Sequence, residues 1–493
     1  MEIENAYFRA MPNRRTTIND LPPDVLLLIL YEVFQERLRY YRTGQHGDDL
    51  VPVSPHDKHV SDRSRCSAEY LASVCPLWRF SMSSRSIFWA QLVVWTGRDA
   101  TPLSLIREYL EWSRERPLHI YVLRRFDPST VDHAEKAHVK AIVELLLPHV
   151  KRWKVLSIKL LHSSSLPCPR FDLVGLAENL IQLNLDFIVD DVVSRSAEAP
   201  SPVGEFETPL LEELSIGGVH FREAYMEAFP RSSIPLQLRR LALTGYMSPQ
   251  VRFPLVDLLT ALLTCKDLCA LYLENIQLDV SVANTPFPHS SAWKWHVEII
   301  DFIDISGDVI EEFHRLLRYP MSQLASYTRC SMPTREPSEP TDRGSFAAGL
   351  AEIASPGALL YYVTLVGHDV LEMTIKDSAG LQPEVLRALA KPTSPEGDDP
   401  YWLCPNLVEL HITGCRQFRS ADLRAALEAR LIAHEATDFA IPDDPDFVLR
   451  SVEALYVHDC GELAPDDKEW FDKNVEHVRW DDWEGGSWRP MVS

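Results

Sequence analysis

The chain has 493 residues, 46% hydrophobic and 24% charged, which is enough for a small module plus a long repeat array with an ordinary share of core. Its 49 basic and 71 acidic residues give a formal net charge of -22, which repels phosphate backbones and anionic headgroups and argues against nucleic-acid or membrane-surface binding. Nine cysteines, with no Cys-x-x-Cys pair and no Asn-x-Ser/Thr sequon, fit reduced thiols in cytoplasm or nucleus better than a secreted disulfide framework. The first residues, Met1 to Asn5, lack a signal-peptide pattern, and the aliphatic run Val25 to Leu30 is too short to span a bilayer.

Residues 1–17 are polar and read as a disordered tail. From Ile18 the sequence starts a helix, with Asn19 or Asp20 as cap and Pro22-Pro23 tolerated in the first turn. Val25, Leu28, Ile29 and Val33 make one face, while Leu26, Leu27, Leu30 and Phe34 cover much of the rest. A helix that is apolar nearly all round must be buried nearly all round. A short module covers one such face, so the other calls for a second polypeptide. Residues 42–66 have the composition of a flexible insertion. Leu71, Val74, Cys75 and Trp78 then form a helical stripe, which Pro76 kinks or interrupts, and Ile87, Phe88, Trp89 and Leu92 add a third apolar cluster.

Leu21-Pro22, Val25, Ile29, Leu71, Val74-Cys75, Trp78-Arg79, Trp89 and Leu92 occur in the order of an F-box. The segment resembles F-box modules, most closely the F-box-like proteins of mushroom-forming fungi, over about residues 18–95. The resemblance implies docking onto the Skp-type adaptor of a Skp–cullin–F-box ubiquitin ligase. It puts Leu21, Pro22, Leu26, Leu27 and Leu30 against the adaptor, and Val25, Ile29, Leu71, Val74, Cys75, Trp78 and Trp89 in the module core. The 42–66 insertion is longer than a compact F-box holds, and it favours the alternative of a drifted motif.

Beyond residue 97 one pattern recurs eleven times, apolar-x-x-apolar-x-apolar. It runs from Leu118/Tyr121/Leu123 and Trp153/Leu156/Ile158 to Val475/Val478/Trp480. Between Leu156 and Ile300 the middle positions are 27, 31, 27, 30 and 29 residues apart, a step that signals leucine-rich repeats. The fold class expected is α/β: an N-terminal all-helical F-box (18–97) followed by a βα solenoid (98–488), with parallel strands on the concave face and helices on the convex face. Spacers at about 191–209, 329–345 and 391–400 read as loop insertions, and Trp480, Trp483 and Trp488 as the closing cap. Leu360/Val363/Leu365 also fits the pattern but lies too near Met373 to form a separate turn.

Alternation along each strand puts a polar and aromatic set on the concave face, leaning acidic in its middle. Its target-binding candidates are Asn184, Ser215, Tyr272, Asp301, Thr374, His411, Tyr456 and Arg479, a composition suited to a protein bearing basic residues. No Gly-x-Gly-x-x-Gly, P-loop, Gly-x-Ser-x-Gly or His-Glu-x-x-His occurs. Gly367-His368-Asp369 reads as a turn. His411 with Cys404 and Cys415, and His458 with Cys460, match no zinc spacing, and the thiols read as small core residues. The sequence therefore leads to no catalytic residue, metal or cofactor. It leads to a target-binding subunit of a ubiquitin ligase, or else to a repeat scaffold whose F-box has degenerated.

Overall fold

In the computed structural model the described residues are 18–43, 68–125, 134–192, 204–227, 234–246, 252–281, 297–317, 322–334, 345–367, 369–392, 402–437 and 449–487. The tail 1–17, nearly all of the 42–66 insertion, the centres of the three spacers, His368 and Trp488 lie outside them.

Among the described residues fifteen strands form one sheet in chain order, and two short segments, Gly175–Leu176 and Phe206–Glu207, pair apart from it. The fifteen are β1 (Gln91–Gly97), β2 (Leu118–Arg125), β3 (Trp153–His162), β4 (Gln182–Val189), β5 (Glu213–Gly217), β6 (Arg240–Tyr246), β7 (Ala270–Ile276), β8 (Ile299–Ile303), β9 (Ser322–Thr328), β10 (Ser345–Ala351), β11 (Glu372–Lys376), β12 (Glu409–Thr413), β13 (Ala454–His458), β14 (His477–Trp480) and β15 (Trp483–Gly485). All neighbours are parallel except the last pair, which is antiparallel with Trp480 opposite Trp483. Strand-by-strand addition with a crossover at each step is how a repeat that cannot bury its own apolar side builds a continuous core.

The crossovers carry helices, including α4 (Leu103–Ser113), α5 (Glu135–Leu146), α6 (Leu255–Leu262), α7 (Gly307–Leu317), α8 (Pro356–Val366), α9 (Pro383–Leu389), α10 (Ser420–Thr437) and α11 (Pro465–Asn474). Three more precede the sheet: α1 (Pro23–Thr43), α2 (Ala68–Ser73) and α3 (Pro76–Ser83). Pro76 starts α3 rather than kinking a longer helix. Cys75 before it is extended, so the chain breaks cleanly between α2 and α3.

The last two apolar residues of every unit read from the sequence lie on a strand, and all but those of the first unit point inward as expected. In β2 the inward pair is Ile120 and Val122, not Tyr121 and Leu123, because Leu118 aligns with Trp153 and the register then slips by one residue. Four of the fifteen strands in this sheet escaped the pattern. β9 and β10 place Ser322 and Ser345 where other turns have a leucine, and Ala325 and Ala348 at the next inward position. The two buried hydroxyls bond each other at 2.8 Å, so two adjacent turns satisfy a polar substitution jointly. The Leu360/Val363/Leu365 segment is α8, capped by Ser355 Oγ accepting from Ala358 N–H.

At the carboxyl ends of the strands the chain turns through left-handed residues. Asn275, Asp304, Arg329, Glu352, Asp377 and Asp459 all have φ near +50°, and Gly245 and Gly414 take the same place with φ of 69°. Each stands two positions beyond the last inward apolar residue. Neighbouring corners are hydrogen-bonded in a ladder, as in Asp304 N–H to Thr328 O (2.9 Å), Arg329 N–H to Ala351 O (3.0 Å) and Glu352 N–H to Lys376 O (2.9 Å). Aspartate and asparagine tolerate this conformation better than other non-glycine residues, which makes the rim acidic.

Candidate functional site

Two surfaces hold the residues singled out in the sequence. The first is α1. Leu26 and Leu30 are 1% exposed, and with Phe34 they form a stripe spaced by four residues against the chain's own core. Phe34 meets Phe88 edge-on at 5.5 Å, and Tyr31 meets the same ring at 6.4 Å. Val25 and Ile29, expected inside, are exposed, and Leu28 between them is 64% exposed. The two faces are thus the reverse of the expected assignment: Leu26 and Leu30 are not free for an adaptor. The physical reason is the aromatic content of the inner stripe. Tyr31 and Phe34 add to the leucines a larger apolar area than Val25, Leu28 and Ile29 offer, and burial follows area.

Of the other adaptor candidates Leu21 and Leu27 are half-buried and Pro22 is exposed. Leu71 and Trp89 are buried as expected, with Trp89 Nε1 donating to Met82 O at 2.9 Å and its ring stacked on Tyr109 at 4.9 Å. Trp78 and Cys75 are half-buried. Val74 is exposed, a further departure, because α2 ends at Ser73 and the stripe does not continue. Leu77 and Phe80 on α3 are exposed as well, Phe80 by 76%. The N-terminal helices therefore leave a surplus of apolar surface, but on a different stripe from the one the sequence suggested.

The second surface is the outer side of the sheet. The eight candidates stand in a single register row: Asn184 beside Ser215, then Ala242, Tyr272, Asp301, Ser326, Gly349, Thr374, His411, Tyr456 and Arg479. Ser326 and Gly349 entered this row unseen, because their strands lack the leucine pattern. The left-handed corners after these two strands are Arg329 and Glu352, residue types that give no sequence signal for that conformation.

The middle of the row is electrostatically unbalanced. The buried atoms Tyr272 Oη and Asp301 Oδ1 have no hydrogen-bond partner among the described residues. An unsatisfied buried polar group costs about 1–3 kcal/mol. Burial first, and then the neighbouring Glu274 charge, push the Asp301 carboxyl up to about 6. Glu274 is itself raised by burial and by Asp304, with Arg329 opposing. Asp186 is raised by burial, although Ser215 Oγ donates to it at 2.9 Å. Arg329 is held by Asp304 (2.7 Å) and Glu352 (3.1 Å), and Arg240 by Glu213 (2.8 Å).

This arrangement has a measurable signature. A carboxyl whose folded pKa is raised keeps its proton in the native state after the unfolded chain has lost it, so the native state binds more protons and stability falls as pH rises. For Asp301 the fall spans the window between the ordinary carboxylate value and about 6. Asp301→Asn should match the parent near the bottom of that window and exceed it at neutral pH by about 1–2 kcal/mol. Paired urea titrations across the window check this, and a difference that stays constant with pH would refute it.

Further along the row His411 and Tyr456 are stacked with ring centres 4.4 Å apart. Glu409 Oε1 lies 2.8 Å and Glu372 Oε1 3.9 Å from His411 Nε2. The nearby thiols are packing groups. Cys415 donates weakly to Ile375 O, Cys460 to His458 O and Cys404 to Val363 O. Burial pushes the Cys404 thiol up to about 12 and that of Cys415 to about 11, which keeps both protonated. Among the described residues no three His, Cys, Asp or Glu side chains are grouped to hold a metal, and no helix is long and apolar enough to cross a membrane. The sequence matches no family model and no curated protein.

Proposed function

We propose that this protein is a two-ended binding protein, the target-binding subunit of a Skp–cullin–F-box type ubiquitin ligase. In this reading α1 and α3 dock a Skp-type adaptor and through it the cullin. The strand face holds a protein target, and the transfer chemistry belongs to a separate module. The observation that carries the reading is the apolar surplus Val25, Leu28, Ile29, Leu77 and Phe80 on helices whose inner stripe is already packed. Each aliphatic side chain covered by a partner is worth about 1.5–3 kcal/mol before association costs are subtracted.

The test is Leu28→Asp with Ile29→Asp. Adaptor co-purification should be lost while far-UV circular dichroism and melting temperature are unchanged. Full retention of the adaptor by this variant would refute the assignment.

A second reading has its own observation. Leu26 and Leu30, which the F-box resemblance assigned to the adaptor, are sealed in the chain. On that basis the protein is a repeat scaffold with a degenerate F-box, working outside ubiquitination. The two readings part on target turnover, which depends on the cullin in the first and not in the second.

A further inference from the structure

Four strand steps of about 4.8 Å separate Asp301 from His411 along the register row, roughly 19 Å in all. Between them stand Ser326, Gly349 and Thr374, the smallest run of side chains in this half of the row. Gly349 has no side chain, and its φ is not in the left-handed region. A Cβ there would stand 2.9 Å from Ser326 Oγ, a contact that rotation of the hydroxymethyl relieves. The backbone therefore does not require glycine at this position, and its effect is to leave the row hollow.

The two ends of the hollow differ in chemistry. At one end Asp301 and Glu274 carry carboxylates, and the buried Asp301 Oδ1 and Tyr272 Oη are without hydrogen-bond partners among the described residues. Arg329 and Arg240, the cations that act on this end, are each bonded to other carboxylates. At the other end the stacked His411 and Tyr456 rings offer a flat aromatic step.

We propose that this stretch of the strand face docks a short extended segment of a partner protein, with a lysine or arginine beside the Asp301 and Glu274 carboxylates and an aromatic side chain over Gly349 against His411. The proposal rests on the reading of the strand face as the target-binding surface, and it names the chemistry of the target. Charge complementarity selects the occupant: the Asp301 and Glu274 carboxylates, with Arg329 and Arg240 engaged by other carboxylates, attract a cation and repel an anion. An extended chain spans the distance with about six residues.

The test uses the full chain and a fluorescein-labelled peptide carrying an arginine and a tyrosine about five residues apart in a serine–alanine background. Fluorescence polarisation should show micromolar binding that weakens as salt is raised. Asp301→Asn with Glu274→Gln should weaken it about ten-fold or more. Gly349→Arg should abolish it, with Gly349→Ser as the milder variant should the larger side chain disturb the fold. A peptide with glutamate in place of arginine should not bind.

Binding by the Asp301/Glu274 variant within about two-fold of the parent would overturn the proposal, as would equal binding of the glutamate peptide or no micromolar binding by the parent. The strand-face variants should still co-purify with the adaptor, and Leu28→Asp with Ile29→Asp should still bind the peptide. Failure at one end is thereby separated from failure at the other.

Discussion

Replacing Arg430 with methionine should destabilise the protein by roughly 3–4 kcal/mol, because it withdraws donors from buried carbonyls on three turns of the array at once. Arg430 lies on α10 and is fully buried. Its Nη1 donates to Leu389 O (3.3 Å) and Leu403 O (3.1 Å), and its Nη2 to Cys404 O (2.9 Å), Pro405 O (3.5 Å) and Arg450 O (3.3 Å). Burial draws its guanidinium down to about 10, so it remains charged at neutral pH. The charge faces carbonyl dipoles at the end of α9, before β12 and before β13.

Methionine fills much of the volume but supplies no donor. Lysine keeps the charge but cannot fork to carbonyls on several segments, so Arg430→Lys should fall between the two. In a repeat array stability is close to a sum over neighbours, so the damage should be local. Hydrogen exchange should rise first in 402–487 while β1 to β8 stay protected. A uniform loss across the sheet, or a change below about 1 kcal/mol, would mean that Arg430 is not the tie.

Nothing in the sequence marked Arg430, and the reason is instructive. Apolar period reads which residues point inward, and it found the strands wherever the inward residues were leucine, isoleucine or valine. It was blind to inward polar groups satisfied by a distant segment. The Ser322–Ser345 pair hid two strands for the same reason, and the buried Arg124–Glu135 pair, whose carboxylate also accepts from Leu161 and His162 N–H, went unmarked as well. The members of these two pairs are 23 and 11 residues apart, and pattern reading sees neighbours only.

The outward row was legible because strand alternation is strict. Fixing the inward leucines fixes the residues between them, which is why Tyr272, Asp301, Thr374, His411 and Tyr456 stand where alternation put them. What the sequence could not supply was that Tyr272 Oη and Asp301 Oδ1 are buried without a hydrogen-bond partner among the described residues, since that depends on the facing geometry of two strands. The helix faces of α1 failed for a third reason. Both stripes are apolar, so period alone could not rank them, and the resemblance ranked them the wrong way round.

That ambiguity in α1 yields the sharpest contrast available in the molecule. Leu26→Asp with Leu30→Asp sits one helical step from Leu28→Asp with Ile29→Asp, with the same charge added to the same helix. The first pair replaces side chains that are 1% exposed and places two carboxylates against Phe88 and its neighbours. Loss of two buried leucines alone costs about 2–5 kcal/mol each, before any charge is desolvated. That exceeds what a short helical segment can supply, so α1 should detach and expose Phe88 before the start of the sheet. The second pair substitutes exposed positions and should change stability by about 0.5 kcal/mol or less per residue.

Hydrogen exchange over residues 68–97 reads the difference directly, with loss of protection in the first variant and none in the second. Under the proposed function adaptor binding should be lost in both, but for different causes, unfolding in one and a blocked surface in the other. If the Leu26/Leu30 variant kept its protection, the inner stripe would not be what holds α1 to the array. The exposed Val25, Leu28 and Ile29 would then lose their standing as the face left over for a partner.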